Sequence, residues 1–338
     1  MTGNTPLVSI CIPTYNRADL LGRAVSSALS QSYQNLEVIV VDNASTDNTH
    51  EVIKHFKDKR LKFFTNEWNL GLFGNFNRCI ELAQGDYIHI LHSDDIIGSN
   101  FTENCIKFYT DHPSVKITTT SARIIGKNGT KNISYSDRDL VFPAPEGLRR
   151  LLCDRGFIVS PSVMVHRDVY WDIGAYSLEY PYSSDFYQWF KITRKYDIGF
   201  VSNAWLDYHQ GEHSESYRLL FSNPSGYIDT LKILIRIISD LGTDDDQFTE
   251  DINCAAKRFM YDCLYAGIVR SNTMKKFYPS IFIGIALTSW SLIGSRSLKT
   301  TIDKTILLFF VGAFSMIIFV SPVRRLVQKL ILRNNPDY

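Results

Sequence analysis

Short continuous apolar runs alternate with longer stretches in which apolar residues recur every three to four positions through the first hundred residues. Leu7-Val8-Ser9-Ile10-Cys11-Ile12 is a β-favouring run stopped by Pro13. Residues 18–31 place Leu20, Leu21, Ala24, Val25, Ala28 and Leu29 on one stripe, the pattern of a helix covering a sheet. A second strand is predicted over 36–41, and a helix capped by Thr46 or Asp47 runs to about residue 57. A third strand covers 61–65, a helix follows near 73–84, and a short run from Tyr87 to Leu91 lies between Gly85-Asp86 and Asp94-Asp95. Further on, the pattern predicts a helix over 100–112, a β-rich run over 115–125, a hairpin signal at Gly126 to Gly129 and a short helix over 146–153. A strand is predicted over 157–166, and Ser183-Ser184-Asp185 opens another helix. The alternation with short connections argues for an α/β domain with a mostly parallel sheet covered by helices.

That architecture gathers the candidate chemistry. In an open parallel sheet, ligands sit beyond the carboxyl ends of the strands. Thr14-Tyr15-Asn16-Arg17, Asp42-Asn43 and Asp94-Asp95 each follow a predicted strand directly, so they share one edge. Paired carboxylates at a strand exit suit a hard cation held together with a phosphorylated ligand, although alone they equally suit loop residues that start the next helix. No glycine-rich dinucleotide fingerprint follows the first strand and no Walker A loop occurs, which disfavours a nucleotide-dependent oxidoreductase. Asp185, taken alone, equally complements a helix dipole.

Composition narrows the classes. The 338 residues exceed one typical domain, and 45% apolar with 21% charged content is ordinary for a folded chain. A net charge of +1 gives no reason to expect a nucleic-acid partner. Six scattered cysteines without a Cys-x-x-Cys pair suggest reduced core thiols rather than disulfides or zinc. The polar start leads straight into a strand, so no signal peptide is expected. Residues 227–241 and 247–270 have amphipathic helical patterns. Two mainly apolar stretches, 277–295 and 305–323, are each bracketed by basic residues, and a basic tail holds Arg324, Arg325, Lys329 and Arg333. A membrane hairpin, in-plane insertion and a buried helical pair all fit those stretches.

Val8 to Arg17, then Val38 to Asp47, then Asn69-Leu70-Gly71 with Asn75-Phe76-Asn77-Arg78, then Gly85-Asp86-Tyr87 with Leu91 to Asp95 occur in an order that resembles the family 2 glycosyltransferases. The resemblance covers roughly residues 7–215. It implies a GT-A-type, Rossmann-like mixed sheet flanked by helices, a nucleotide-diphosphate sugar donor, and Mg²⁺ or Mn²⁺ as cofactor. It further implies that Pro13, Tyr15 and Asp42 meet the nucleotide base, with Asn16, Arg17, Asn43, Arg78, Ser93 and Asp94 completing the donor site. Asp94 and Asp95 would hold the metal in a DXD-type motif, and Asp185 would be the catalytic base of an inverting transfer. The chain departs from the family pattern at His92 (commonly Asp), at Phe76 (often Arg, for which Arg78 is the expected substitute) and at Ser184 (commonly acidic). Tyr208 to Ser216 resembles the family's closing segment, with His209 and His213 as candidate diphosphate or metal contacts. The expected organisation is a catalytic domain over 1–215, a helical extension over 216–272 and a membrane-associating segment over 273–338. A glycan or lipid-linked acceptor at the cytoplasmic side of the cell membrane follows. The alternative is a non-catalytic, membrane-associated protein that binds a nucleotide sugar or another partner.

Overall fold

The computed structural model describes residues 5–126, 129–154 and 157–210, together with helical positions 229–230, 232–234, 236–237, 240, 251 and 254–255. Each apolar run of the first ninety residues is a strand: β1 Val8–Thr14, β2 Leu36–Asp42, β3 Leu61–Thr65 and β4 Tyr87–Ile90. Between them lie α1 Ala18–Leu29, α2 Thr49–Lys54 and α3 Leu72–Leu82. The chain continues through β5 Ile96–Ile97, α4 Phe101–Asp111, β6 Val115–Gly126, β7 Gly129–Ile133, β8 Leu140–Phe142 and α5 Glu146–Cys153. A one-turn 3-10 helix, Ser160–Ser162, leads to β9 Met164–His166, α6 Arg167–Ile173, α7 Ser184–Lys195 and β10 Asp197–His209.

The strands form one sheet in the order β3-β2-β1-β4-β9-β6-β10-β5, with β7 on β6 and β8 on β10. Strands β1 to β4 pair in parallel, from Val8↔Leu36 to Thr14↔Asp42 on one side of β1 and from Val8↔Tyr87 to Cys11↔Ile90 on the other. The rest of the sheet is mixed. Strand β9 runs antiparallel to both β4 and β6, while β6 and β10 are parallel. A mixed sheet flanked by helices thus replaces the mostly parallel one expected from the alternation of elements.

Every residue of β1 and β2 is buried, as befits strands covered on both faces. Val8, Ile10 and Ile12 join Val38, Val40 and the α1 stripe Leu21, Ala24, Val25 and Ala28 in one core cluster that also takes in α4. The alternate face carries α3, where the Cys11 thiol reaches the Cys79 carbonyl at 3.6 Å. Cys11, Cys79 and Cys105 are buried thiols, and none of these three nor Cys153 and Cys254 forms a disulfide among the described residues; Cys263 lies outside them.

One expectation fails locally and one strand was not foreseen. Residues 157–166 are not one strand: Pro161 sits in the first turn of the 3-10 helix, and only Met164–His166 pair as β9. The thirteen-residue β10 is not visible as an alternating run because its register against β6 shifts between Val201 and Trp205. The chain divides into two compact units, Met1–Ser214 and Glu215–Tyr338. In the second, Ile233, Leu234 and Ile237 are buried while Lys232 and Arg236 are exposed, an amphipathic stripe. The two apolar stretches and the basic tail lie outside the described residues, and among those described no helix is long and apolar enough to cross a membrane.

Candidate active site

Strand β1 lies between β2 and β4, so the chain leaves it in opposite directions and a crevice opens at the carboxyl ends there. Pro13 lies beyond the last β1–β4 pair, Cys11↔Ile90, where β1 has a neighbour on one side only and a missing N–H is tolerated. The loops after β1 and β2 are bound to each other. Asn16 N–H donates to Ser45 Oγ at 2.8 Å, and Thr46 N–H donates to Asn16 Oδ1 at 2.8 Å. Asp47 Oδ2 accepts the Ala18 N–H at 2.9 Å, and its Oδ1 accepts the Thr49 N–H at 3.1 Å, so one carboxylate serves the starts of both α1 and α2. Asn16 and Ala44 take left-handed backbone angles, φ 51° and 61°. For an alanine that is a strained state, held here by the Ser45 N–H donating to Asp42 Oδ1 at 3.2 Å. Tyr15 stands 43% exposed at the rim, whereas Asp42 and Ser93 are buried and Arg17 is partly buried.

Asn43 plays a different part from the one expected. Its Nδ2 donates to Asn69 Oδ1 and the Gly71 carbonyl, and its Oδ1 accepts from Asn66 Nδ2 and the Leu70 N–H, at 2.8–3.1 Å. That uses the full capacity of an amide. Asn43 therefore fixes the β3–α3 loop against the β2 loop, with its side-chain amide fully engaged. Arg78 is not brought to the crevice either. Two residues along a helix is a turn of about 200°, and while Phe76 is buried with its ring 5.7 Å from that of His92, Arg78 is half exposed and paired with Glu81 at 2.9 Å.

After β4 the chain turns sharply, with Asp95 N–H donating to the His92 carbonyl at 3.1 Å. One ligand atom each of His92, Asp94 and Asp95 falls within 4.8 Å of the others. Asp95 is wholly buried; its Oδ1 accepts the His209 main-chain N–H at 2.8 Å, while its Oδ2 has no hydrogen-bond partner among the described residues and lies 3.5 Å from His92 Nδ1. Burial, with the Asp94 charge adding to it, holds the Asp95 carboxyl well above the usual range. Burial also lowers His92, against the pull of the Asp94 and Asp185 carboxylates. Both partners thus shift toward their neutral forms, and the contact is not an ordinary ion pair. His209 lies beside them, with Nδ1 4.0 Å from Asp95 Oδ1 and its basicity lowered by burial and by Arg23. His213 lies outside the described residues.

Asp185 sits in the first turn of α7, close enough to His92 to influence its titration. Its Oδ1 accepts the Phe186 N–H and its Oδ2 accepts the Ser160 hydroxyl, both at 2.8 Å. Ser184, in the place commonly acidic, is buried with no partner for its hydroxyl among the described residues. Sequence reasoning missed three residues here, Tyr176, Trp189 and Ser160, and gave Phe76 no role of its own. Phe76, Tyr176 and Trp189 form a buried edge-to-face aromatic wall, with centroids 5.5 and 6.0 Å apart, and Ser160 holds Asp185. The Ser160-Pro161-Ser162 turn was the available signal.

The family described as Glycosyl transferase family 2 matches residues 9–174. The Escherichia coli UDP-Glc:alpha-D-GlcNAc-diphosphoundecaprenol beta-1,3-glucosyltransferase WfgD is 30% identical over 200 residues, covering 59% of this chain and 75% of WfgD. The chain belongs to glycosyltransferase family 2. A Haemophilus influenzae relative described as an uncharacterized glycosyltransferase is 44% identical over 107 residues, which are 31% of this family 2 chain and 43% of that relative. The chain thus spans less than half the length of that relative. S. aureus TarS 1-349 in complex with UDP-GlcNAc shares the fold at a TM-score of 0.60, with 20% identity over 82% of this chain and 79% of that fragment.

Proposed function

We propose that this family 2 glycosyltransferase moves a sugar, with inversion, from a nucleotide-diphosphate sugar to a hydroxyl of a glycan or lipid-linked acceptor in cell-envelope synthesis. The observation that carries the reading is a convergence. The loops after β1 and β2, the His92–Asp94–Asp95 cluster after β4 and the Asp185 carboxylate gather at one switch-point crevice, with no glycine cradle for phosphate.

The residues fit a divalent cation. Asp95 has a buried oxygen with no hydrogen-bond partner among the described residues, and His92 and Asp94 offer ligand atoms beside it. His92, Asp94 and Asp95 would hold Mg²⁺ or Mn²⁺, and the imidazole in the set leads us to expect Mn²⁺ to bind more tightly. When bound, the cation offsets the negative charge that builds on the departing diphosphate.

The chain's own groups do the rest. Pro13, Tyr15 and Asp42 receive the base and ribose, with Asn16, Arg17 and Ser93 beside the phosphates, and Asn43 keeps the loops around them in shape. Asp185 takes the proton of the acceptor hydroxyl as its oxygen attacks the anomeric carbon from the face opposite the leaving diphosphate. With one base and no carboxylate assigned as nucleophile, a single displacement inverts the centre. WfgD's name specifies a diphosphoundecaprenol-linked acceptor, which supports a lipid-linked glycan here as well. We assign catalysis to residues 1–215, a helical extension to 216–272, and attachment to the cytoplasmic face of the membrane to 273–338.

A thermal-shift screen of UDP-, GDP-, dTDP- and CMP-sugars, with Mn²⁺ or chelator, tests the donor class directly. One nucleotide should stabilise the protein in Mn²⁺ and much less in chelator, by about 2.7 kcal/mol at a hundred times its Kd. Asp185→Asn should bind that donor as wild type does and lose at least about a hundredfold in turnover. Binding of no nucleotide sugar, or full turnover by Asp185→Asn, rejects the assignment.

A further inference from the structure

The hydrogen bond between Ser160 and Asp185 has a fixed direction. Ser160 Oγ lies 3.1 Å from Trp189 Nε1 and 2.8 Å from Asp185 Oδ2. An indole N–H only donates, so Ser160 accepts from Trp189 and its single hydroxyl proton is left for the carboxylate. Asp185 Oδ1 is held in the same way by the Phe186 N–H at 2.8 Å. Each carboxylate oxygen is pinned by one donor and keeps acceptor capacity for another.

The post that carries Ser160 is rigid. Its 3-10 turn is closed by the Ser162 N–H donating to the Val159 carbonyl at 2.8 Å and by the Val163 N–H donating to the Ser160 carbonyl at 3.2 Å. On one side His89 of β4, wholly buried and stacked 4.7 Å from Phe101, donates its Nε2–H to the Pro161 carbonyl at 2.8 Å. A carbonyl can only accept, which fixes that tautomer and leaves Nδ1 bare, as its lack of any partner among the described residues requires. On the other side Ser162 Oγ lies 3.1 Å from Thr119 Oγ1 and 3.2 Å from the Thr120 N–H of β6. Trp189, one helical turn after Asp185, is buried with its ring edge-on to Tyr176. The side chain at the start of α7 is thereby referred to the sheet through a chain of bonds in which the Trp189, Ser160, His89 and Thr120 donors are fixed by chemistry, while the Ser162–Thr119 hydroxyl pair serves in either direction.

We infer that Ser160 is a positioning residue, whose hydroxyl, ordered by the Trp189 indole, holds the Asp185 carboxylate ready to receive the nucleophile's proton. The inference rests on the proposal that Asp185 is the base. A carboxylate free to rotate about its side-chain torsions would spend much of its time aimed away from the incoming hydroxyl, and small misplacements of a catalytic group are costly in rate.

The test uses the full chain and slow donor hydrolysis. There a water oxygen attacks the anomeric carbon, the bond to the diphosphate oxygen breaks, and Asp185 takes the water's proton. Nucleoside-diphosphate release is followed from whichever of UDP-Glc, UDP-GlcNAc and GDP-Man gives the largest thermal shift. Ser160→Ala should lower kcat by roughly tenfold to a hundredfold, the scale of a lost hydrogen bond to a charged group. Donor KM and the melting temperature should stay near wild type, and Ser160→Thr, which keeps the hydroxyl, should restore most of kcat. Should Ser160→Ala fail to fold, Ser160→Cys supplies the same comparison with a weak donor of similar size. Wild-type kcat in Ser160→Ala, or equal loss in the Ala and Thr variants, overturns the inference while leaving the base in place if Asp185→Asn is still dead. Wild-type turnover by Asp185→Asn removes the base reading itself.

Discussion

Replacing Asp95 with Asn separates the duty of this carboxylate toward a cation from its burden on the fold. The side chain is wholly buried, one oxygen accepts the His209 N–H at 2.8 Å, and the other has no hydrogen-bond partner among the described residues while the Asp94 charge lies close by. An unsatisfied buried polar group costs about 1–3 kcal/mol, and more when charged. Asparagine keeps the shape and the acceptor for His209. Its new N–H also faces His92 Nδ1, 3.5 Å from the present Oδ2 and able to accept in the neutral imidazole that burial favours. The variant should therefore be more stable than wild type without metal, by about 1–2 kcal/mol after allowing for imperfect geometry. For a folding unit of ~200 residues that is a rise in Tm of roughly 2–8 °C. In saturating Mn²⁺ the order should reverse, because the amide has lost the charge that a hard cation seeks. Differential scanning fluorimetry at one pH, in chelator and in Mn²⁺, reads both halves. A variant that melts below wild type in chelator, or gains as much from Mn²⁺, would refute the account of Asp95 as an unpaired ligand.

Glu37→Gln addresses the sheet. Ser9 Oγ, Gln84 N–H and Lys62 Nζ converge on that buried carboxylate at 2.5, 2.7 and 2.7 Å, and one amide oxygen cannot accept from all three, so about 2–3 kcal/mol should be lost in urea unfolding with an unchanged m-value. Burial opposes ionisation of Glu37, yet the bonds from Lys62, Ser9 and Gln84 outweigh it and hold the carboxyl below its usual range. The stabilisation is therefore complete above the unfolded value of about 4.3 and is lost as pH falls through the folded one; a gap between wild type and variant that fails to narrow below pH ~4 would contradict this. Arg78→Ala should change stability by at most about 1 kcal/mol and leave donor KM as it was, since the arginine is engaged in a half-exposed pair with Glu81; a large rise in KM would restore it to the donor site. Removing residues 273–338 should shift the protein from the membrane pellet to the supernatant on fractionation, and equal distribution of both forms would reject membrane attachment by that segment.

The parts of the fold that were legible are those where one physical signal acts alone. Strands β1 to β4 are mainly apolar runs set between polar loops, with β1 running one residue past the Pro13 that was expected to stop it, and their carboxyl ends gather the loops after β1, β2 and β4 by the geometry of parallel sheets. Strand β10 escaped because a register shift at Val201 and Trp205 scrambles its alternation. The stretch around Ser160 escaped because Phe157, Ile158, Val159, Val163 and Met164 look like a strand, and Pro161 was the single residue that argued otherwise. At the site, the residue types were readable but their allegiances were not. Asn43 is a polar residue after a strand, as a ligand contact would be, yet its four bonds all return to the chain. Arg78 could have been set aside from the helical wheel alone, since Phe76 and Arg78 cannot share a face.

The tether from His209 to Asp95 is made by the peptide backbone, not by the imidazole. Almost any amino acid placed at 209 would go on bracing the aspartate, and proline alone among the standard set would cut the strut. A scan that swaps only the ring leaves that brace untouched, although the peptide at that position clamps the most deeply enclosed acid among the described residues. Tolerance of varied side chains at 209, combined with intolerance of proline, is the fingerprint such a main-chain clamp leaves in a substitution series.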